Sequence, residues 1–232
     1  MITITLDSPP VNALGTELML RLRDDLRRAA GQPILLTGAG KAFSAGLNLA
    51  EVASLDGADM VAFLDLLEEV VGLLYHHDAP TVSFINGHAI AGGCVLAMAC
   101  DLRIGAAGRY KMGLNEVALG VQFPPRTLEI VIRQLPVTSR PTVLLGAGLR
   151  TADEALSLGL IDQIGDHDAA TAALTAISAH PRGAYLATKA ALRPPTTPSP
   201  QVRQSFIDEV VPVWTSDAVR ARIRAVLEPR RG

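Results

Sequence analysis

The chain has 232 residues, of which 49% are hydrophobic and 19% are charged, and its formal net charge is −2. This composition is typical of a globular protein with one sizeable core and excludes a disordered chain. With only three lysines and a near-neutral charge, we expect no nucleic-acid partner, because phosphate binding requires concentrated Lys and Arg.

The first hundred residues alternate between strand-like and helix-like patterns. Strands are indicated by apolar residues that alternate with polar ones or form short runs, and helices by apolar residues three or four positions apart. Thr16 stands before the first helical pattern and is a candidate N-cap. On these signals we predict strands at 1–6, 33–37 and 81–85, and helices at 17–30, 58–76 and 93–100.

The rest of the chain is mainly helical in pattern. Thr151 and Glu154 have capping-box spacing, which predicts a helix that closes at Gly159, and the Pro/Thr/Ser stretch 194–200 predicts an exposed loop or hinge. We predict short strands at 102–104, 110–112 and 160–164, a helix from Pro125 to about Leu145, and helices beyond residue 168. This order indicates an α/β core at 1–168 followed by a C-terminal helical region at 169–232.

Several familiar catalytic motifs are absent from the sequence. The segment Gly38-Ala-Gly-Lys41 lacks the spacing of a phosphate-binding loop, and no dinucleotide-binding or Gly-x-Ser-x-Gly motif occurs. His76 and His77 would diverge on a helix, and His88 has no partner at ligand spacing. We therefore expect no metal site.

The cysteines and the N-terminus bear on the compartment. Cys94 and Cys100 lie six positions apart on one predicted helix, so they point in different directions and are expected to be buried, reduced thiols. The sequence shows no signal or transit peptide pattern and no apolar run of eighteen residues. We expect no membrane partner and a cytoplasmic location.

Two glycine-containing segments are candidates for binding an anion through backbone N–H groups. Ala91-Gly92-Gly93 leads from a strand into a predicted helix, whose first N–H groups lack partners and whose N-terminus is the positive end of its dipole. Tight packing of the helix on a strand would also favour glycine there. In the second segment, Gly46 permits an unusual turn, so that the N–H of Leu47 is a second candidate donor to the same oxyanion.

Glu116 is the candidate acid/base. It is the only acid between Asp101 and Glu129, and it lies beside Leu114 and Val117 on a loop bounded by glycines. An apolar setting raises the pKa of a carboxyl group toward neutrality, as general acid/base catalysis requires. The alternative is an ordinary solvated acid on a loop.

Four motifs in order resemble the crotonase superfamily, also called the enoyl-CoA hydratase/isomerase family, and are most similar to its Δ3,Δ2-enoyl-CoA isomerases. They are Pro9-Pro-Val-Asn12, Phe43-Ser-Ala-Gly-Leu-Asn-Leu49, Ala91-Gly-Gly-Cys-Val-Leu-Ala97 with Cys100-Asp-Leu-Arg103, and Gly113-Leu-Asn-Glu116. Each motif alone is weak, but four in order are specific. The resemblance implies a crotonase-like spiral of ββα turns with a C-terminal α-helical region, assembled as a homotrimer or a hexamer.

The resemblance also implies the chemistry of the site. It implies an acyl-CoA or phosphopantetheine-linked thioester whose carbonyl lies between the N–H groups of Leu47 and Gly92, with Glu116 as the acid/base. No metal or redox cofactor is implied, because CoA enters as part of the substrate. The substrate-binding residues that it implies are Ala45, Gly46, Leu47, Asn48, Leu49, Gly92 and Gly93.

One departure from the family pattern favours isomerisation over hydration. Hydratases of the family carry a second glutamate where this chain has Val95, and shifting a double bond requires only one base. Asn48 stands where many relatives have Asp. Two alternatives remain: a hydratase or other thioester-enolate enzyme that recruits Asp65 or Glu68, and a non-catalytic acyl-CoA binding subunit.

Overall fold

The computed structural model describes residues 1–228, which contain two parallel sheets. The larger sheet has the order β1-β2-β4-β6-β8, and the smaller one the order β3-β5-β7. The strands are β1 (Ile2–Leu6), β2 (Ile34–Gly38), β3 (Ala42–Ser44), β4 (Thr81–Ile85), β5 (His88–Ile90), β6 (Leu102–Gly105), β7 (Met112–Gly113) and β8 (Gln163–Ile164).

The described part of the chain also contains twelve α-helices, one short 3-10 helix and two π-helical segments, Pro141–Leu145 and Phe206–Val210. The α-helices are α1 (Thr16–Arg28), α2 (Leu49–Ser54), α3 (Gly57–Tyr75), α4 (Gly92–Ala99), α5 (Glu116–Leu119), α6 (Pro125–Gln134), α7 (Ala152–Ser157), α8 (His167–Ser178), α9 (Arg182–Leu192), α10 (Pro200–Ser205), α11 (Val211–Trp214) and α12 (Asp217–Leu227).

The chain repeats one structural unit as it winds. Each turn places a strand in the large sheet, then a short strand in the small sheet, and then one or more helices: β2-β3-α2, β4-β5-α4 and β6-β7-α5. In the large sheet Ile34 pairs with Thr81 and Val82 pairs with Leu102, so successive turns stack in register. This is the predicted spiral of ββα turns.

Helix α4 lies at the centre of the packing. All eight of its residues are buried, as expected for a helix that is apolar or small-sided all round. The longer α3 packs against α1, α4 and α6, and contributes Phe63, Leu64 and Leu67 to the same core. The position of α4 is therefore determined by contacts along its whole length.

The start of α1 differs from the prediction. Gly15, not Thr16, is the N-cap, and its position provides no side-chain hydrogen bond. Instead the carboxylate of Glu51, on α2, accepts hydrogen bonds from the backbone N–H and the hydroxyl of Thr16. The cap thus comes from a residue that is distant in sequence, which local spacing does not reveal.

Other boundaries shift for local reasons. The helix predicted to run from Pro125 to about Leu145 ends at Gln134, because Pro136 cannot continue it, and the chain goes on as a 3-10 turn and a π-helical turn. The strand predicted at 110–112 lies at Met112–Gly113, and that at 160–164 is reduced to Gln163–Ile164. The strands β3 and β5 and the helix α2 were not predicted from the sequence.

The C-terminal region is helical, as predicted, and residues 229–232 of the predicted range 169–232 lie outside the described residues. Its first helix, α8, packs on β2, β4 and β6, and α12 contacts both α2 and α5. The stretch 194–199 is a loop, although Thr196 within it is buried. Within residues 1–228, no helix combines the length and apolar character that a membrane span needs.

Candidate active site

The small sheet brings the three predicted site segments to one edge. β3 leads into Leu47, β5 into Gly92, and β7 into Glu116. Ile90 and Gly113, near the ends of β5 and β7, are register partners. Because all three strands are parallel, their carboxyl ends share one edge, which is where open α/β sheets commonly bind ligands.

The two predicted N–H donors lie side by side. A Cβ atom placed on Gly92 would lie 3.7 Å from the backbone nitrogen of Leu47 and 3.4 Å from its Cδ2 atom. Within residues 1–228, neither the Leu47 N–H nor the Gly92 N–H donates a hydrogen bond to a protein acceptor. The space left by the missing Gly92 side chain is thus flanked by two unused donors, one of them at the positive end of α4.

The neighbouring glycines serve different purposes. A Cβ on Gly93 would lie 2.3 Å from the carbonyl oxygen of Ser44, so this glycine permits α4 to pack tightly on the end of β3. A Cβ on Gly46, whose φ is +89°, would lie 2.6 Å from the carbonyl oxygen of Ile90, so the two donor segments touch. Close packing therefore explains Gly93, whereas binding of an anion at Gly92 stays a prediction.

A buried asparagine supports the Leu47 segment. Asn12 is 1% exposed, has a φ of +53°, and its amide donates to the carbonyls of Ala42 (2.8 Å) and Ala39 (2.9 Å). The Ser44 hydroxyl donates to the Asn12 carbonyl (2.7 Å) and accepts from the Gly46 N–H (3.2 Å). The structural roles of Asn12 and Ser44 were not predicted, although both residues lie in the motifs that resemble the family.

The other predicted binding residues lie in or beside this segment. Ala45 is half-buried between β3 and the turn. Asn48 is the N-cap of α2: its Oδ1 accepts from the Glu51 N–H at 3.3 Å, so its side chain stabilises the helix. Leu49 begins α2 and packs partly against the core.

Glu116 lies on a short helix, which corrects the predicted loop position. It is the first residue of α5 and is 8% exposed, and its Oε2 atom has no hydrogen-bond partner within the described chain. Burial raises its pKa to about 8. Leu114 is buried, whereas Val117 is 51% exposed, so only one of these neighbours contributes to the apolar setting. The charge of Glu116 also helps to raise the pKa of Cys94, after the larger effect of burial, so Glu116 lies near α4.

The buried carboxyl predicts a stability effect of Glu116→Gln. The folded-state pKa of about 8 lies above the ordinary value of 4.5, so ionisation opposes folding and wild-type stability falls as pH rises between these values, by up to about 1.4 kcal/mol per pH unit. Glutamine carries no such cost. Thermal unfolding should show Glu116→Gln more stable than wild type at pH 9 and the difference vanishing near pH 4; an equal difference at both pH values would contradict the burial argument.

The acids considered as replacements for a second catalytic glutamate are engaged elsewhere. Val95 is 1% exposed and belongs to the core. Asp65 forms an ion pair with Arg203 at 2.5 Å, and Glu68 accepts a 2.6 Å hydrogen bond from the N–H of Arg126 at the start of α6. Neither acid is therefore an unengaged partner for Glu116.

The histidines and cysteines have structural surroundings. His76 Nε2 lies 3.0 Å from the Thr196 hydroxyl, and His77 Nε2 lies 2.8 Å from the Gln32 carbonyl oxygen. Within residues 1–228, no group of three or more His, Cys, Asp or Glu residues is placed to hold a metal ion. Both cysteines are buried and free, as predicted.

Sequence comparison matches the chain to one family, whose similar members include proteins named as isomerases and proteins named as hydratases. A family profile described as enoyl-CoA hydratase/isomerase matches residues 1–218. Human "Enoyl-CoA delta isomerase 1, mitochondrial" is 32% identical over 235 aligned positions, which cover 95% of this chain and 77% of the human protein. "Crotonyl-CoA hydratase" of Syntrophomonas wolfei is 31% identical over 159 positions, which cover 66% of this chain and 61% of that protein.

Solved structures similar to this chain also include both an isomerase and a hydratase. The crystal structure of human mitochondrial Δ3-Δ2-enoyl-CoA isomerase has a TM-score of 0.84 and 27% identity, and covers 97% of this chain and 92% of that one. The structure of enoyl-CoA hydratase from Bacillus halodurans has a TM-score of 0.82 and 27% identity, with 96% and 95% covered. The fold is thus shared by similar proteins named for isomerisation and for hydration.

Proposed function

The chain belongs to the enoyl-CoA hydratase/isomerase family, and on this basis we propose that it is a Δ3,Δ2-enoyl-CoA isomerase. The resemblance stated from the motifs and the crotonase-like fold are both confirmed. The proposal concerns the reaction within the family, the residues that perform it and the substrate.

The observation that carries the proposal is a buried carboxyl at the same edge of the small sheet as two unused N–H donors. Glu116 has a pKa of about 8, near the pH at which a base must both accept and return a proton. Val95 supplies no second carboxylate to hold a water molecule, and the two nearby acids are engaged with other residues. One acid/base suffices for a proton shift, whereas hydration in this family uses two.

The proposed reaction begins with a 3-enoyl-CoA whose thioester oxygen accepts hydrogen bonds from Leu47 and Gly92. Glu116 removes a proton from C2, and the electron pair of the broken C–H bond delocalises into the thioester to give a dienolate. The protonated Glu116 then delivers the proton to C4, which forms trans-2-enoyl-CoA and restores the carboxylate. No oxidation occurs, so the step requires no redox cofactor, and in this proposal the two N–H donors stabilise the oxyanion without a metal.

The proposed oxyanion hole has a physical basis in the helix that forms it. The negative charge of the dienolate develops at the N-terminus of α4, where the helix dipole is positive and N–H groups are unpaired. Each donor of this kind typically lowers the barrier by about 3–4 kcal/mol. Both donors are backbone groups, one at the buried start of α4 and one in the half-buried segment after β3, so they need little reorganisation as charge develops.

The substrate, the oligomeric state and the location expected from the sequence stay proposals. We propose an acyl thioester of CoA or of a phosphopantetheine-carrying protein as substrate, bound along Ala45–Leu49 and Gly92-Gly93, and assembly into a homotrimer or hexamer. The predicted cytoplasmic location also stays a prediction; the human relative compared above is named as mitochondrial.

Hydration is the second candidate, because proteins named as hydratases match the chain about as well as those named as isomerases. Steady-state assays of purified protein on 3-hexenoyl-CoA and on crotonyl-CoA separate the two reactions. We expect isomerisation of the first and hydration of the second at least about a hundredfold slower, since general acid–base groups typically contribute 10²–10⁴-fold. Faster hydration than isomerisation would contradict the proposed reaction, and turnover of neither would favour an acyl-CoA binding role.

A further inference from the structure

The carboxyl end of α4 is held by one side chain at the end of α6 and one that directly follows α9. The Arg193 guanidinium, on the chain after α9, donates to the carbonyls of Ala99 (2.9 Å) and Cys100 (2.8 Å). The Gln134 amide, at the end of α6, donates to the carbonyl of Met98 at 2.7 Å. Carbonyls at the end of a helix otherwise lack partners, and a cation there is favoured by the negative end of the dipole.

Arg193 belongs to a buried cluster with a net positive charge. Its guanidinium lies 3.1 Å from Asp101 Oδ1, and the Lys189 ammonium donates to Asp101 Oδ2 at 2.8 Å. Arg193 and Lys189 are 9% and 8% exposed. Two cations and one carboxylate leave one positive charge. The Arg193 guanidinium also lies 4.3 Å from the centroid of the Tyr75 ring, which fixes its plane.

This cluster and the proposed oxyanion hole lie at opposite ends of one buried helix. The eight residues of α4 span about 12 Å at 1.5 Å per residue, with Gly92 first and Ala99 last. Charges interact over that distance with little screening when the medium between them is protein rather than water. The helix is also packed on all sides, so a force on one end is transmitted to the other.

Resting on the proposed function, we propose that Arg193 and Lys189 are positioning residues for the oxyanion hole, acting through α4. Their net charge offsets the negative end of the helix dipole and adds a positive potential at the Gly92 end, where the dienolate charge develops. They touch neither substrate nor the reacting atoms. In this way the C-terminal region, which packs against the α/β core, would also raise the rate of the reaction at the oxyanion hole.

Three variants separate charge from hydrogen bonding. Lys189→Met removes one charge but leaves the α4 carbonyls bonded, because Lys189 donates to Ala79 and Asp101 instead. Gln134→Met is the matched control, since it removes hydrogen bonds to the same end of α4 with no change in charge. Arg193→Gln removes both, and Arg193→Lys keeps the charge.

The readout is the absorption of a dimethylaminocinnamoyl-CoA probe, which shifts to the red when the protein polarises its thioester carbonyl. We expect Lys189→Met and Arg193→Gln to lose about half of the wild-type shift, with kcat for 3-hexenoyl-CoA three- to tenfold lower and KM nearly unchanged. Gln134→Met and Arg193→Lys should stay close to wild type. Melting curves show whether each variant is folded. If Arg193→Gln does not fold, the comparison of Lys189→Met with Gln134→Met is the test.

The outcomes distinguish this inference from the proposed function. A wild-type protein that binds the probe without a red shift would overturn the oxyanion hole itself. A wild-type shift that persists in Lys189→Met would overturn only the role of the charged cluster. An equal loss in Gln134→Met and Lys189→Met would also overturn it, because the effect would then follow from loosening α4 and not from charge.

Discussion

Glu116→Gln is expected to lower kcat for isomerisation of 3-hexenoyl-CoA by about 10²–10⁴-fold, the range typical for loss of a general acid/base. Glutamine has nearly the same shape as glutamate but can neither accept the C2 proton nor deliver one to C4. The substitution breaks no hydrogen bond at Oε2, which has no partner in the described chain, and burial already favours the neutral form of Glu116. The loss should therefore occur without loss of folding.

A control variant and a pH profile test whether the loss of activity is specific to Glu116. Glu129→Gln changes a half-buried acid on α6 that pairs with Arg133, and it should leave kcat unchanged. For the wild type, kcat/KM should rise with pH through about 8, because only the ionised Glu116 acts as the base in free enzyme. Wild-type turnover by Glu116→Gln, or a rate insensitive to pH between 6 and 9, would remove Glu116 from its proposed role.

Gly92→Ala is expected to lower kcat by about 10²–10³-fold, as does loss of an oxyanion-hole donor in other enzymes. The added methyl would lie 3.1 Å from Leu14 Cδ1 and 3.7 Å from the Leu47 nitrogen, in the space between the two proposed donors. It would therefore keep the thioester oxygen away from them. The carboxylate of Glu116 would remain in place, so the loss would report on the hole alone.

The matched control is Gly57→Ala at the start of α3, where an added Cβ meets no atom within 4 Å. This variant should keep wild-type kcat and stability, since alanine is a better helix former than glycine. Steady-state kinetics and melting curves on both variants provide the test. Full activity in a folded Gly92→Ala protein would show that the thioester oxygen binds elsewhere.

The fold was predictable where the elements are long and periodic. The strands at 1–6 and 81–85 and the helix over 58–76 appear within one or two residues of their predicted ends. The small sheet was not predictable in the same way, because β3 and β5 have three residues each and β7 has two, too few to show a period. The sheet edge that carries the candidate site is therefore formed by the strands that are hardest to predict from the sequence.

The candidate site also contains some residues that can be identified from the sequence and others whose roles depend on the fold. The glycines and Glu116 are visible in the sequence because their residue types are unusual where they stand. The roles of Asn12, Ser44 and Glu51 depend on contacts with residues 30 or more positions away, which no local pattern reveals. The burial of Glu116 is also a tertiary property, since its neighbour Val117 is half-exposed.

In the proposed reaction one carboxyl moves one proton from C2 to C4, and isotope transfer measures this step directly. Mass spectrometry of trans-2-hexenoyl-CoA made from 2,2-dideuterated 3-hexenoyl-CoA in ordinary water counts the retained deuterium. We predict that a substantial part of the product from early turnover keeps both deuterium atoms, the second now at C4, because buried Glu116 is shielded from solvent. Product with only one deuterium in every molecule would contradict direct transfer by Glu116.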